Sequence, residues 1–363
     1  MLILHIYKDY PPVLGGIENH IRVLAEAQAR AGHQVNVLVC DPGPRTTVRE
    51  EAGVTVIRAG RLATAASMPL SISQPWILAR LRPDIAHVHS PYPLGELANW
   101  LLGRARATVI TYHSDIVRQR GWLRLYGPFL RRVLAAADRI LVTSPRYIET
   151  SPWLRPVREK CTVVPLGVDH RRFTPPPVPY DGPPTLLFVG KLRYYKGVDT
   201  LLEALRTLPG VHLNIVGEGP MGPSWADLAA RQGLADRVHF LGEVDDAVLP
   251  SVYHQAHVFV LPASARAEAF GTVLLEAMAS GLPCVTTEVG SGTSWVVQDG
   301  ITGRVVPPRD PQALAEALRV LLEHPELRAR MGRAGRARVE AEFTQDQMTM
   351  RVEAVYREAL LKL

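Results

Sequence analysis

A chain of 363 residues, 47% of them hydrophobic, exceeds the length at which single cores stop growing, about 250–300 residues, and suits two ordinary domains. No stretch approaches the roughly 18–20 uninterrupted apolar residues of a membrane span, and Met1-Leu2-Ile3-Leu4-His5 opens without a basic leader, so a cytoplasmic protein is expected. The net charge of +6 is uneven: residues 1–165 hold 21 Lys or Arg against 12 Asp or Glu, and the rest hold 20 against 23. Cys40, Cys161 and Cys284 are odd in number, far apart and mostly in apolar runs, which argues against disulfides and against zinc or iron clusters.

Short Val/Ile-rich runs alternate with helical stretches: 2–7, 35–40, 54–57, 85–89, 108–112 and 139–143, with helical pattern at 16–31 and 123–137. This predicts a doubly wound parallel sheet covered on both faces, with right-handed crossovers. A second series runs through 186–189, 213–216, 238–241, 258–261 and 284–287. Between the two, Thr174–Pro184 places six prolines in eleven residues and is taken as the interdomain linker. The expected division is 1–170, a linker at 171–184, 185–343, and a terminal helix at 344–363 that packs back on the first domain. Open α/β sheets bind ligands outside the carboxyl ends of their strands, so two facing domains predict a central cleft.

Along the chain, the paired glycines Gly15 and Gly16 follow the first strand and open a helix, a turn that lets backbone approach a ligand. They lack the lysine and hydroxyl of a P-loop and do not match the dinucleotide fingerprint, which argues against an ATPase or a dehydrogenase. Arg118–Tyr126 interleaves arginines with Trp122 and Tyr126; a peripheral membrane patch and a solvated helix face are both open readings. No zinc-finger spacing or aromatic RNA-binding motif is present, so nucleic acid is not an expected partner. His113 ends the fifth strand, and Asp115, two residues on, can orient it or touch an acceptor.

Only five lysines exist against 36 arginines, yet Lys191 and Lys196 fall five apart after the first strand of the second series. Two compact cations there suit a phosphate group and can neutralise a diphosphate leaving group. Further on, Glu268 and Glu276 bracket Phe270-Gly271-Thr272-Val273 at a helix start. The free amides of Gly271, Thr272 and Val273 would face an anion, and the two carboxylates would hold hydroxyl groups. A glycoside hydrolase using these carboxylates is disfavoured because eight helical residues advance about 12 Å, beyond the ~5–9.5 Å of such pairs.

These motifs together resemble the large family 4 of retaining, GT-B-fold glycosyltransferases over nearly the full length. They are the Gly-Gly turn, the strand-end histidine, Gly190-Lys191-Leu192 with Lys196-Gly197, Val216-Gly217-Glu218-Gly219-Pro220, and the spaced glutamates. The resemblance implies an N-terminal acceptor domain and a C-terminal donor domain. Lys191 and Lys196 would contact the donor diphosphate, with Gly15 and Gly16 approaching it by backbone. Glu276 would hold the ribose hydroxyls, Glu268 with Phe270, Gly271, Thr272 and Val273 the sugar and phosphate, and His113 the sugar near the reacting carbon. His113, Glu268 and Lys196 are the expected catalytic residues, with Asp115 on the acceptor side. Lys191 stands where relatives usually carry arginine. The Tyr-His-Ser-Asp run at 112–115 resembles the bacterial mannosyltransferase-like branch that builds surface polysaccharide. The expected reaction is transfer from a nucleotide diphosphate sugar, GDP-mannose first and UDP-sugars next, to a glycan or lipid-linked acceptor, without metal or other cofactor. Lys196→Ala is expected to nearly abolish transfer and leave the fold intact. A nucleotide-sugar-binding scaffold without turnover and a GT-B epimerase are the competing readings.

Overall fold

The computed structural model describes residues 1–13, 15–65, 68–115 and 120–361, with side chains omitted from 120 to 125. In the basic aromatic stretch 118–126, residues 118 and 119 lie outside the described residues and 120–125 are described by backbone only. The chain forms two compact units, one of Met1–Leu166 with Gln345–Leu363 and one of Gly167–Thr344.

In the first unit the strands are β1 (Leu2–Ile6), β2 (Gln34–Cys40), β3 (Thr47–Glu51), β4 (Val54–Ala59), β5 (Ala63–Ala65), β6 (Met68–Leu70), β7 (Ile85–Ser90), β8 (Ala107–Tyr112), β9 (Arg139–Val142) and β10 (Cys161–Val163). Eight of them form one sheet in the order β10-β9-β8-β7-β1-β2-β4-β3, and β5 and β6 pair separately. The helices are α1 (Gly16–Arg30), α2 (Ser73–Arg80), α3 (Pro93–Leu102), α4 (Arg120–Ala136) and α5 (Pro145–Thr150). The sheet is not purely parallel, because β3 runs antiparallel to β4 at its edge. Thr-Val-Arg-Glu-Glu offers no apolar alternation, and such charged, short strands suit an edge that must not recruit another chain. The β7 strand is buried along its whole length, as a strand covered on both faces must be.

The second unit holds β11 (Thr185–Val189), β12 (His212–Val216), β13 (Val238–Gly242), β14 (Val258–Leu261), β15 (Cys284–Thr287) and β16 (Gly303–Val306), all parallel, in the order β13-β12-β11-β14-β15-β16. Its helices are α6 (Val198–Leu205), α7 (Gly222–Arg231), α8 (Leu249–His254), α9 (Thr272–Ala279), α10 (Thr293–Val296), α11 (Pro311–Glu323) and α12 (Pro325–Glu342). Asp310 caps α11 by accepting from the Ala313 amide at 2.9 Å, ahead of a proline that needs no donor there.

The boundary at Leu166/Gly167 precedes the proline-rich stretch, which thus runs inside the second unit. There His254 Nε2 bonds the Thr174 carbonyl at 2.7 Å, and Arg336 bonds the carbonyls of His170 and Phe173 at 2.8 and 2.6 Å. The last helix, α13 (Gln345–Leu361), belongs to the first unit. Its Met348, Val352, Val355, Tyr356 and Ala359 pack with Ile3, Leu24, Ile85 and Val109 of the first sheet and α1. Among the described residues no helix is long and apolar enough to cross a membrane.

Candidate functional site

Both sheets reverse their strand order at the middle, between β1 and β7 in the first and between β11 and β14 in the second. At such a switch point two neighbouring loops leave the carboxyl ends of the strands in opposite directions and open a crevice for ligands. Gly15 and Gly16 fall on such a loop in the first unit and Lys191, Lys196 and Glu268 in the second, whereas His113 and Asp115 follow β8, one strand further out, and Glu276 lies within α9.

In the second unit the turn after β11 is stitched to the loop after β12. Gly190 N–H donates to the Val216 carbonyl at 3.0 Å, Leu192 N–H to that of Glu218 at 2.9 Å, and Met221 N–H to that of Leu192 at 3.0 Å. The Gly-Lys-Leu and Val-Gly-Glu-Gly-Pro runs, far apart in sequence, are thus one structural piece, with Lys191 exposed on it. The chain then turns through Tyr194–Lys196 and passes Gly197, whose φ of +71° is a left-handed conformation that favours glycine. A Cβ at Gly197 would lie 1.9 Å from the Pro262 carbonyl oxygen, and Ser264 N–H donates to the Tyr195 carbonyl at 2.8 Å. This close crossing carries Lys196 onto the loop after β14, where its Nζ lies 2.5 Å from Glu268 Oε2. The pair is almost fully enclosed, with side chains 10% and 11% exposed. Gly197→Ala is expected to destabilise the fold by about 2 kcal/mol or more, through left-handed strain and the carbonyl clash, read as a lowered urea midpoint at unchanged slope.

Glu268 lies in the loop before α9, so only the second half of its spacing to Glu276 is helical and the carboxylates are not held apart by a full eight-residue helical rise. The two carboxylates instead have distinct partners. The Glu268 backbone is fixed by Ser291, whose hydroxyl donates to its carbonyl at 2.6 Å, and Gly292 N–H donates to the Ala269 carbonyl at 2.7 Å. Gly271 starts α9 with φ of +78°, and no side chain caps the helix, which leaves the first-turn amides of Gly271, Thr272 and Val273 suited to an anion. The ring of Phe270 is 2% exposed and packs on Trp295 and Phe343, so any contact it makes with a ligand is through its backbone. Glu276 is half-buried and accepts from the Tyr253 hydroxyl at 2.7 Å. Burial pushes its carboxyl up to about 7, against the opposing pull of the Tyr253 hydrogen bond.

In the first unit Gly15 is the N-cap of α1 in an extended conformation, and Gly16 is its first residue. A Cβ at Gly16 would meet no protein atom within 4 Å, so packing does not demand glycine there. Asp115 is held from both sides: its Oδ1 accepts from Tyr112 at 2.9 Å and from Ser151 at 2.7 Å. The expected orientation of His113 by Asp115 is not the one found. His113 Nε2 lies 3.0 Å from His89 Nδ1, and the two rings stack at 5.3 Å. His89 in turn meets His5, and His20 stands edge-on to both His89 and His113. This group of buried histidines was missed in the sequence. Its trace was His87-x-His89 inside an apolar run, a spacing that puts both on one face of a strand, with His5 on the strand that proves adjacent.

Two Rossmann-like units with such sites at their switch points define the GT-B class of sugar-transferring folds. Residues 14–172 match the family described as Glycosyltransferase Family 4, and residues 170–338 match Glycosyl transferases group 1. The chain is 39% identical over 356 residues to the D-rhamnosyltransferase WbpZ of Pseudomonas aeruginosa, covering 95% of this chain and 92% of that one. It is 35% identical to the O-antigen chain mannosyltransferase C of Escherichia coli, covering 96% of each. Among solved structures it resembles sucrose-phosphate synthase from Thermosynechococcus elongatus, with TM-score 0.83, 26% identity and full coverage of both chains. The chain belongs to the group 1/family 4 glycosyltransferases, and it is a glycosyltransferase.

Proposed function

We propose that this glycosyltransferase moves a hexose from a nucleoside diphosphate donor, GDP-mannose before UDP-sugars, to a glycan or lipid-linked acceptor of cell-surface polysaccharide, with retention at the anomeric carbon. The observation that carries this reading is the enclosed Lys196–Glu268 pair beside the uncapped start of α9, at the switch point of the second sheet. A cation and free amides there can take the charge of a departing diphosphate without a metal. Glu268, which holds Lys196 in the ligand-free protein, then places that cation for the phosphate and offers an acceptor to a sugar hydroxyl. Glu276 accepts the ribose hydroxyls, Lys191 adds charge at the diphosphate, and His113 meets the sugar near the reacting carbon. The relatives named for D-rhamnose and mannose support a manno-configured donor, since D-rhamnose is mannose without its 6-hydroxyl. The positive excess of residues 1–165 supports approach to an anionic membrane surface that carries the acceptor.

The test is release of free nucleoside diphosphate from a panel of GDP- and UDP-sugars, with and without lipid-linked acceptor, followed by the anomeric configuration of the product by NMR. Acceptor-dependent release from GDP-mannose with an α-linked product is expected. Release from UDP-sugars alone overturns the donor, a β-linked product overturns retention, and tight donor binding without turnover under every acceptor favours the scaffold.

A further inference from the structure

Four histidines of the first unit, His5, His87, His89 and His113, belong to a directed hydrogen-bonded network and not merely a cluster. His113 Nε2 meets His89 Nδ1 at 3.0 Å, His89 Nε2 meets His5 Nδ1 at 3.0 Å, and His5 Nε2 meets Gln28 Oε1 at 2.8 Å. The other end of the Gln28 amide donates through Nε2 to the Tyr356 hydroxyl at 3.3 Å, and Tyr356 lies 2.5 Å from His87 Nδ1. His87 Nε2 ends the branch on Thr111 Oγ1 at 2.5 Å. Strand register builds this arrangement. His5 pairs with His87 across β1 and β7, His89 pairs with Thr111 across β7 and β8, and Gln28 and Tyr356 arrive from α1 and α13.

The imidazoles of His5, His87, His89 and His113 are at most 4% exposed, and burial holds each one well below its ordinary range, His5 at about 4, so all four are neutral near pH 7. A neutral imidazole has one N–H and one lone pair, so fixing one nitrogen fixes the other. The Gln28 carbonyl only accepts, hence His5 carries its proton on Nε2 and offers a lone pair at Nδ1. His89 must then donate from Nε2 and accept at Nδ1, and His113 must donate from Nε2. The remaining nitrogen of His113, Nδ1, makes no hydrogen bond among the described residues. The second branch agrees, since Tyr356 accepts from Gln28 and donates to His87 Nδ1, which leaves the His87 N–H for Thr111. Turning the Gln28 amide over reverses every bond in both branches, so one amide sets the polarity of the whole network.

We propose that Gln28, anchored by Tyr356, is a positioning residue that acts through His5 and His89 to hold His113 in its Nε2–H tautomer. His113 then presents a bare Nδ1, a group that welcomes a sugar hydroxyl as donor and repels a phosphate oxygen. The role given to the sugar rests on the transferase reading above; the tautomer does not.

The test is a long-range 15N–1H correlation spectrum of the ligand-free protein labelled with 15N-histidine, near pH 7.5, which tells protonated from bare ring nitrogens. Wild-type His5, His87, His89 and His113 are expected to show single Nε2–H tautomers. Gln28→Met removes the anchor at nearly constant volume, and His113 is expected to shift to averaged signals of both tautomers. A wild-type His113 protonated on Nδ1, or one unaltered by Gln28→Met, overturns the proposal. If that variant fails to fold by circular dichroism, Tyr356→Phe frees the same amide with a smaller change and is read in the same way. One equivalent of tightly bound zinc in the purified protein also overturns it, because a metal takes the lone pairs that the chain uses. The predicted wild-type tautomers in a protein without transferase activity sink the functional reading and leave the chain standing.

Discussion

Lys196→Ala is expected to lower transfer at least about a hundredfold and, at the same time, to destabilise the fold by roughly 3–5 kcal/mol. The first effect follows from the proposed role of Lys196, in which its charge faces the departing diphosphate. The second follows from burial: Glu268 is 8% exposed, and without Lys196 its carboxylate stays enclosed with no cation. From the sequence the same substitution was expected to spare the fold, because Lys196 read as a ligand-facing cation with no protein partner. The structure corrects that expectation by placing the loop crossing at Gly197 over it. The double variant Lys196→Ala/Glu268→Ala separates the two effects. It should regain most of the lost stability in urea denaturation while remaining inactive, since the stranded charge has gone but the diphosphate still has no partner. Equal stability of the single and double variants would show that the stranded Glu268 carboxylate costs nothing, and activity in either would sink the role given to Lys196.

Glu276→Gln is expected to change both the pH dependence of stability and the binding of donor. The carboxyl stands near 4.5 in the unfolded chain and at about 7 in the fold, first because of burial. The folded state therefore binds more protons between these values, and stability contributed by this group is full below 4.5 and lost as pH rises through about 7. The size is about 3 kcal/mol by the free energy per pKa unit. Wild type and Glu276→Gln should thus differ little at pH 4.5, and the variant should be the more stable at pH 8, where it carries no buried charge. Glu96, 1% exposed and also pushed to about 7 by burial, is present in both proteins and cancels in the comparison. Ligand binding runs the other way. In the proposed role two ribose hydroxyls donate to the ionised carboxylate, so wild type should gain affinity for the nucleoside diphosphate relative to Glu276→Gln as pH rises from 6 to 8. Calorimetric titration of both proteins against GDP reads this ratio, and a ratio that is flat with pH would remove Glu276 from the ribose.

Much of the second unit was legible because its strands are continuous apolar runs and its site motifs are local. Glu268 to Glu276 spans a single loop and helix start, and the run of residues alone implies free amides beside two acids. The edge strand Thr47–Glu51 was not legible, since it carries no apolar alternation although its antiparallel partner Val54–Ala59 starts only two residues later, and β16 was missed because Gly303–Val306 is too short to stand out. Phe270 shows a different limit: its place in the motif was visible, but the packing of its ring on Trp295 and Phe343 was not.

The sequence alone determined two parallel-sheet units, the family they belong to, and the residue types brought to the loops, because hydrophobic period and short motifs are written within a few residues. Only the tertiary structure decided what those residues touch. Lys196 meets Glu268 from 72 positions away in the chain, Tyr253 meets Glu276, and His113 is oriented by His89 and not by its near neighbour Asp115. Strand order and register create those contacts, and both depend on long-range pairing that no local stretch of sequence encodes. The histidine chain is the clearest case: five ordinary-looking residues, Gln28 and Tyr356 become one network only when β1, β7 and β8 align and α1 and α13 close over them.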